Sequence, residues 1–256
     1  KATIINSRLA TAVGDETSVT DSTASSAFGA GSSIIKADHS TAVGAGASVN
    51  ESNFSFAGGE KASVTGGYGD IAIGFSSTVS NATQSTAIGY QSSVTGNSRG
   101  MALGTLANVT DSYGGTALGA SASVTNSVSA SASGNNASVT DSSYAQADGA
   151  GAKVTSSKSA TAVGNDAIVT NSGSGVAIGN KAKLDSAADG IAIGSSANVT
   201  SVANGIAIGK NVKVDGENSV SLGPNSAVSA VQATAIGSLA NATKDNSVAL
   251  GANATT

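Results

Sequence analysis

One histidine, sixteen carboxylates and no cysteine limit the chemistry open to this chain. His39 stands between Asp38 and Ser40. A nucleophile triad or a metal centre needs several groups converging on one point, so His39 reads as a turn residue on a solvated loop. The acidic residues are scattered, and most fall in predicted turns, where an Asp side chain bonds its own backbone. No acid and base stand apart in the manner of a glycosidase. Without Cys there is no disulfide, and a zinc or thiol-redox site is not expected. The chain reads as a non-enzyme with no cofactor and no metal.

Weaker chemistry is spread along the chain. Gly66-Gly67-Tyr68-Gly69-Asp70 resembles a calcium β-roll nonapeptide, but it occurs once and without the repeating Asp, so it reads as a flexible turn. Asn-x-Ser/Thr triplets start at Asn81, Asn108, Asn136 and Asn198, as expected of a chain rich in Asn and Thr. Two groups of residues could bind a ligand. The first is a polar ladder: Ser63 and Thr65, Ser93 and Thr95, Ser123 and Thr125, with Lys153, Lys183 and Lys213 replacing Ser further on. Asp185 and Asp215 follow the last two lysines by two positions. This ladder could meet a protein, a polysaccharide or ice, or simply keep a β surface soluble. The second group is Ser131, Ser133, Gln146 and Asp148, which stand where other repeats carry aliphatics. If they face a symmetry axis, the Asp148 carboxylates of the copies crowd together and recruit a cation or water. Otherwise the segment loops outward.

These residues are positioned by a repeat. A glycine follows a short apolar tripeptide, as in Thr11-Ala12-Val13-Gly14 and Ile71-Ala72-Ile73-Gly74. Its column runs Gly14, Gly29, Gly44, Gly59, Gly74, Gly89, Gly104, Gly119, Gly134, Gly149, Gly164, Gly179, Gly194 and Gly209, at a constant period of fifteen. Gly223, Gly237 and Gly251 continue it at a period of fourteen. Five residues after each Gly stands an aliphatic, from Val19 and Ile34 to Val214 and Val228; only Ala242 and Thr256 break the column. A period of this length is too short for a β-α-β unit. It predicts about 17 coils of two short strands separated by Gly, Asn, Asp and Ser turns, with no helices.

Strand side chains alternate between faces. In the first strand the residue two before Gly is Ala in nearly every coil, and its neighbours are Ile, Val, Leu or Thr; both faces are apolar. In the second strand, residues such as Ala47 and Val49 alternate with Ser and Thr, so one face is buried and one is wet. A flat roll of two parallel sheets results. One sheet leaves an apolar outer face that a lone chain would expose along its length, so copies of the chain should cover it. Large and small residues alternate on that face, as with Phe56 and Gly58, or Phe28 and Ser26. Stacking at about 4.8 Å predicts a rod of roughly 80 Å, with stability accumulating coil by coil.

Composition agrees. Glycine is frequent, Trp absent, aromatics few and charged residues only 11%. Such side chains fill a thin core rather than a thick one, while the steady aliphatics and a net charge of −4 argue against disorder. There is no basic footprint for nucleic acid and no apolar run long enough to span a membrane.

Asn218-Ser219-Val220-Ser221-Leu222-Gly223 and Asn246-Ser247-Val248-Ala249-Leu250-Gly251 resemble the head repeat of YadA-like trimeric autotransporter adhesins, whose pattern is Asn-Ser-Val-Ala-Ile-Gly. The resemblance extends over nearly the whole chain, although the family repeat commonly has the shorter period of the last coils and the longer period dominates here. It implies an all-β, left-handed parallel β-roll in a homotrimer. It also implies a surface adhesin, anchored in the bacterial outer membrane through a segment not seen here. Its partners would be host extracellular-matrix proteins, host cells or abiotic surfaces. On this reading residues 1–256 are one head, with 15-residue coils over 14–209 and 14-residue coils over 210–256, lacking neck, stalk and membrane anchor. The alternative is an ice- or glycan-binding β-solenoid that uses the Ser/Thr ladder.

Overall fold

The structure is a computed structural model and describes residues 1–96 and 98–256. Among them there is no helix, and the strands are nearly all of three residues. They fall into two alternating sets. Ala-centred strands precede the glycine column, as in Thr41–Val43. Val-centred strands follow it, as in Ser93–Thr95. Each strand pairs in parallel with the equivalent strand one coil away: Ile71 with Thr86, Ala72 with Ala87 and Ile73 with Ile88; Ser93 with Asn108, Val94 with Val109 and Thr95 with Thr110. The expected parallel β-solenoid is therefore what the chain forms.

Two compact units are distinguished, Lys1–Ser129 and Ala130–Thr256. The first stacks nine Val-centred and eight Ala-centred strands among the described residues. The second stacks nine Ala-centred and eight Val-centred strands. In both, alanines from one sheet meet aliphatics from the other. Ala42, Ala57 and Ala72 face a column of Ile34, Val49 and Val64, all without exposed surface. The core is thus one small and one medium side chain thick. A larger residue needs space made for it. Leu184 reaches where a Cβ at Gly175 would sit, 2.7 Å from its Cδ1, so glycine there admits leucine here.

The glycine column closes one edge of each coil. Its residues have φ between +115° and +141°, a region open essentially to glycine alone. A Cβ on Gly164 would stand 2.5 Å from the carbonyl oxygen of Gly179 in the next coil. The residue two beyond each glycine is left-handed as well, for example Glu16, Ser76 and Asn225. On the opposite edge, a longer coil carries two left-handed residues, such as Asn81 and Gln84. The shorter coils carry one there, Asn218, Gln232 or Asn246. The Val-centred strands before those turns shrink to two residues, Lys213–Val214, Ala227–Val228 and Asn241–Ala242. The change of period is therefore one residue deleted from one turn, while the Ala-centred sheet keeps its register: Ile206 pairs with Val220 as Ile191 does with Ile206.

Gly164→Ala should press a methyl group on that carbonyl and force a strained φ, costing about 2 kcal/mol or more. In a solenoid the loss is local. Hydrogen exchange in the flanking coils should speed up by about thirtyfold or more, leaving distant coils unchanged.

Candidate adhesive surfaces

Three kinds of surface leave the solenoid: the outer face of each sheet, and the turn edges. On the Val-centred sheet, Ser63, Thr65, Ser93, Thr95, Ser123 and Thr125 all point outward as half-buried residues in straight columns. The hydroxyls partly satisfy one another. Ser48 Oγ donates to Ser63 Oγ at 3.1 Å, and Thr78 Oγ1 donates to Ser93 Oγ at 3.1 Å. In the second unit, Lys153, Lys183 and Lys213 occupy the same face at every other coil. Lys183 Nζ pairs with Asp185 Oδ2 at 3.2 Å, and Lys213 Nζ with Asp215 Oδ2 at 2.6 Å. These exposed pairs contribute little stability and give the face mixed charge.

The Ala-centred sheet has the opposite character. Its alanines point inward, and the residues on either side point out. Val43, Ile73, Ile88, Met101 and Leu118 in the first unit, and Ile178, Ile208 and Ile236 in the second, are large apolar side chains at 37–47% exposure. Among them Phe56 lies flat over the neighbouring glycine, so that a Cβ on Gly58 would sit 2.5 Å from its ring. The large-and-small pairing is thus a real contact. In the second unit the stripe is broken by polar residues: Ser131–Ser133 and Gln146–Asp148 remain regular paired strands. The chain does not loop outward there. Asp148 stands on the outer face, between Ser133 and Val163 in register.

The turns hold what the repeat alone does not reveal. Where the chain leaves one sheet for the other, its N–H groups lose their backbone partners, and buried serines one coil earlier replace them. Ser40 N–H donates to Ser25 Oγ at 3.2 Å, Ser55 N–H to Ser40 Oγ at 3.1 Å, and Asp70 N–H to Ser55 Oγ at 3.1 Å. A similar ladder in the second unit passes through Ser142, Ser157 and Ser172. Asp70 takes a serine's place in the first ladder, fully buried, its Oδ1 accepting Ser85 N–H at 2.9 Å. Its second oxygen sits where a side chain at Gly67 would lie. The flanking strands Ser48–Asn53 and Ser63–Tyr68 run on through this corner to six residues each. So Gly66 to Asp70 is an ordered, pinched corner rather than a flexible turn. Burial pushes the Asp70 carboxyl above its usual pKa, against the lowering effect of hydrogen bonds from Ser85, Tyr68 and Ser52.

Exposed rings decorate the same coils. His39 stacks on Phe54 with centroids 4.8 Å apart, and Phe54 meets Tyr68 at 5.2 Å. On the glycine edge, Phe75 stacks on Tyr90 at 5.4 Å, with Lys61 Nζ 5.5 Å from the Phe75 centroid. His39 is therefore an exposed turn residue, as expected, but a stacked one. No group of three or more His, Cys, Asp or Glu able to hold a metal occurs among the described residues.

The family model for the YadA head domain repeat matches residues 66–92, 80–107, 203–226, 215–240 and 229–254. Among solved structures, the collagen-binding domain of the Yersinia adhesin YadA is 28% identical, over 55% of this chain and 67% of that one, with a TM-score of 0.37. Comparison with curated proteins finds no match.

Because folding raises the Asp70 pKa, the folded chain holds this proton more tightly than the unfolded chain does. Its stabilisation is full below the ordinary carboxylate value of 3.8 and is lost as pH rises through the folded-state value. Asp70→Ser, which restores the residue type of that ladder, should remove this component. Thermal unfolding of both chains from about pH 3 to 8 should show wild type losing ground to the variant as pH rises; parallel curves would refute it.

Proposed function

We propose that this chain is a YadA-like head domain, an adhesin module and not an enzyme, as the matches to the head repeat support, and that residues 1–256 form one adhesive head at the bacterial surface, held there by an outer-membrane anchor. The head works as a homotrimer and attaches the cell to host extracellular-matrix proteins, host cells or abiotic surfaces. The observation that carries this reading is the apolar outer face of the Ala-centred strands. Side chains such as Ile73 and Ile178, each nearly 40% exposed, recur coil after coil in both units. Covering such a patch is worth about 25 cal/mol per Å² of apolar area, and soluble monomers rarely leave one so extensive. A closed ring of identical chains buries the same stripe on every member; the family repeat supplies the number three.

Binding then comes from what the oligomer leaves outside. Each contact is weak, and several heads on one cell multiply the effect. A second reading rests on the Ser/Thr columns in strict parallel register, which offer a flat hydroxylated face to ice or to a glycan. Thermal hysteresis and glycan-array binding separate this reading from the first.

Charging the stripe provides the test. Ile73→Asp and Ile178→Asp together should lower the sedimenting mass from three chains toward one. Retention on collagen-, fibronectin- or laminin-coated surfaces, or on plastic, should fall by about a hundredfold or more as avidity is lost. An unchanged mass, or a wild-type chain that is a folded monomer, would refute the trimer.

A further inference from the structure

A strict repeat does not fix where along its length one copy meets another. In the second unit the outward residue before the column glycine is Val163, Ile178, Ile193, Ile208 or Leu222 in successive coils, each paired in parallel register with the next. Coils repeat at about 4.8 Å, so a copy slid by one coil would still set aliphatic against aliphatic and lose only one coil of contact. A pattern that matches its own shifted copy does not specify register. Two consecutive coils depart from it. Ser131 and Ser133, then Gln146 and Asp148, hold the outward positions, with Ser131 beside Gln146 and Ser133 beside Asp148. Gln146 and Asp148 are exposed on the single chain, and the two serines are half-buried. The core beneath them is unaltered, since Ala132 and Ala147 are fully buried as in other coils. The next coil fills the same positions with Thr161 and Val163, so the fold of one chain does not call for the polar residues.

We infer that this two-coil polar layer aligns the copies: it is an interaction surface whose partner is the same layer of a second copy, met at the same height. The inference rests on the homotrimer reading and names what sets its register. The layer is self-complementary. Serine hydroxyls and the Gln146 amide donate, and the Asp148 carboxylate accepts, so a copy in register offers these groups partners, directly or through trapped water. Sliding removes them. One coil of slip sets Asp148 at the level of Val163, and two coils set Ser133 at the level of Val163 and Asp148 at the level of Ile178. A carboxylate left unpaired in an apolar joint is costly, so each wrong alignment is disfavoured although its apolar contact is nearly as extensive. Polar residues in the seam of a coiled coil fix register in the same way and lower its stability.

The chain has no cysteine, so introduced ones report alignment in the whole chain. Chains carrying Ile178→Cys are refolded together with chains carrying Ile193→Cys or Ile208→Cys, one and two coils further along. Two coils span about 9.6 Å, beyond disulfide reach. With the layer intact, disulfides should join position 178 to itself far more than to 193, and not to 208. Ser133→Val with Asp148→Val should raise the mixed disulfides about tenfold or more, with sedimenting mass unchanged and melting temperature equal to the parent's or higher. Asp148→Val alone, the milder change, should raise them less. Mixed disulfides unchanged in both variants overturn the inference and leave the oligomer standing, aligned by another irregular coil such as that of Phe56 over Gly58. A variant that sediments as a single chain also overturns it, because the layer would then hold the copies together rather than align them. A parent that is itself a single chain refutes the homotrimer, and with it the partner that the layer needs.

Discussion

Every coil must present its backbone to the next at one parallel strand spacing, about 4.8 Å, and the rest of the structure follows from that demand. At this distance nothing larger than hydrogen fits between consecutive coils at the tight edge, so glycine recurs in the left-handed column from Gly14 to Gly251. The same spacing lines up equivalent side chains, and each column must then tolerate copies of itself. Alanine, valine, serine and threonine do so. A bulky exception is admitted only beside a vacancy, as with Leu184 beside Gly175 and Phe56 over Gly58.

The corners show how the solenoid deals with the hydrogen bonds that strands this short cannot supply. A three-residue strand leaves many N–H groups outside its ladder, and burying them unpaired would cost about 1–3 kcal/mol each. Serine hydroxyls, stacked in their own column, continue the ladder around the bend. Asp70 shows the limit of this device. A carboxylate accepts the same bonds but brings a charge, and the corner around it is reshaped: Gly67 makes room, and the neighbouring strands lengthen. Such a site favours the neutral form, because burial penalises the charge.

The two sheets share one core but face different surroundings. The Val-centred sheet alternates apolar and polar and can end in water. The Ala-centred sheet is apolar on both sides, and one chain covers only the inner side. A thin roll of this kind therefore leaves one apolar face of the chain uncovered. The polar interruption at Ser131–Ser133 and Gln146–Asp148 keeps strand geometry, because backbone pairing holds each strand in place whatever its outward side chains are.

Much of this was legible in the residues alone, because a periodic fold writes its constraint once per coil. The glycine column, the aliphatic column five residues on and the Ala alternation together dictate two parallel strands per coil, a buried face for each, and one apolar face left over. Even the shortening of the period after Gly209 is visible, although only the structure locates it in a single turn that loses one left-handed residue, as Asn81 and Gln84 give way to Asn218 alone. What required three dimensions lies off the period. Asp70 reads as one more turn acid until its burial is seen, and Gly66 to Asp70 reads as a flexible loop until two strands run through it. Phe75 and Tyr90 stand a full period apart as two isolated aromatics, and Lys61 is one cation among twelve. Coil stacking turns that sequence distance into ring contact, because the solenoid folds each period of chain into about 4.8 Å of height.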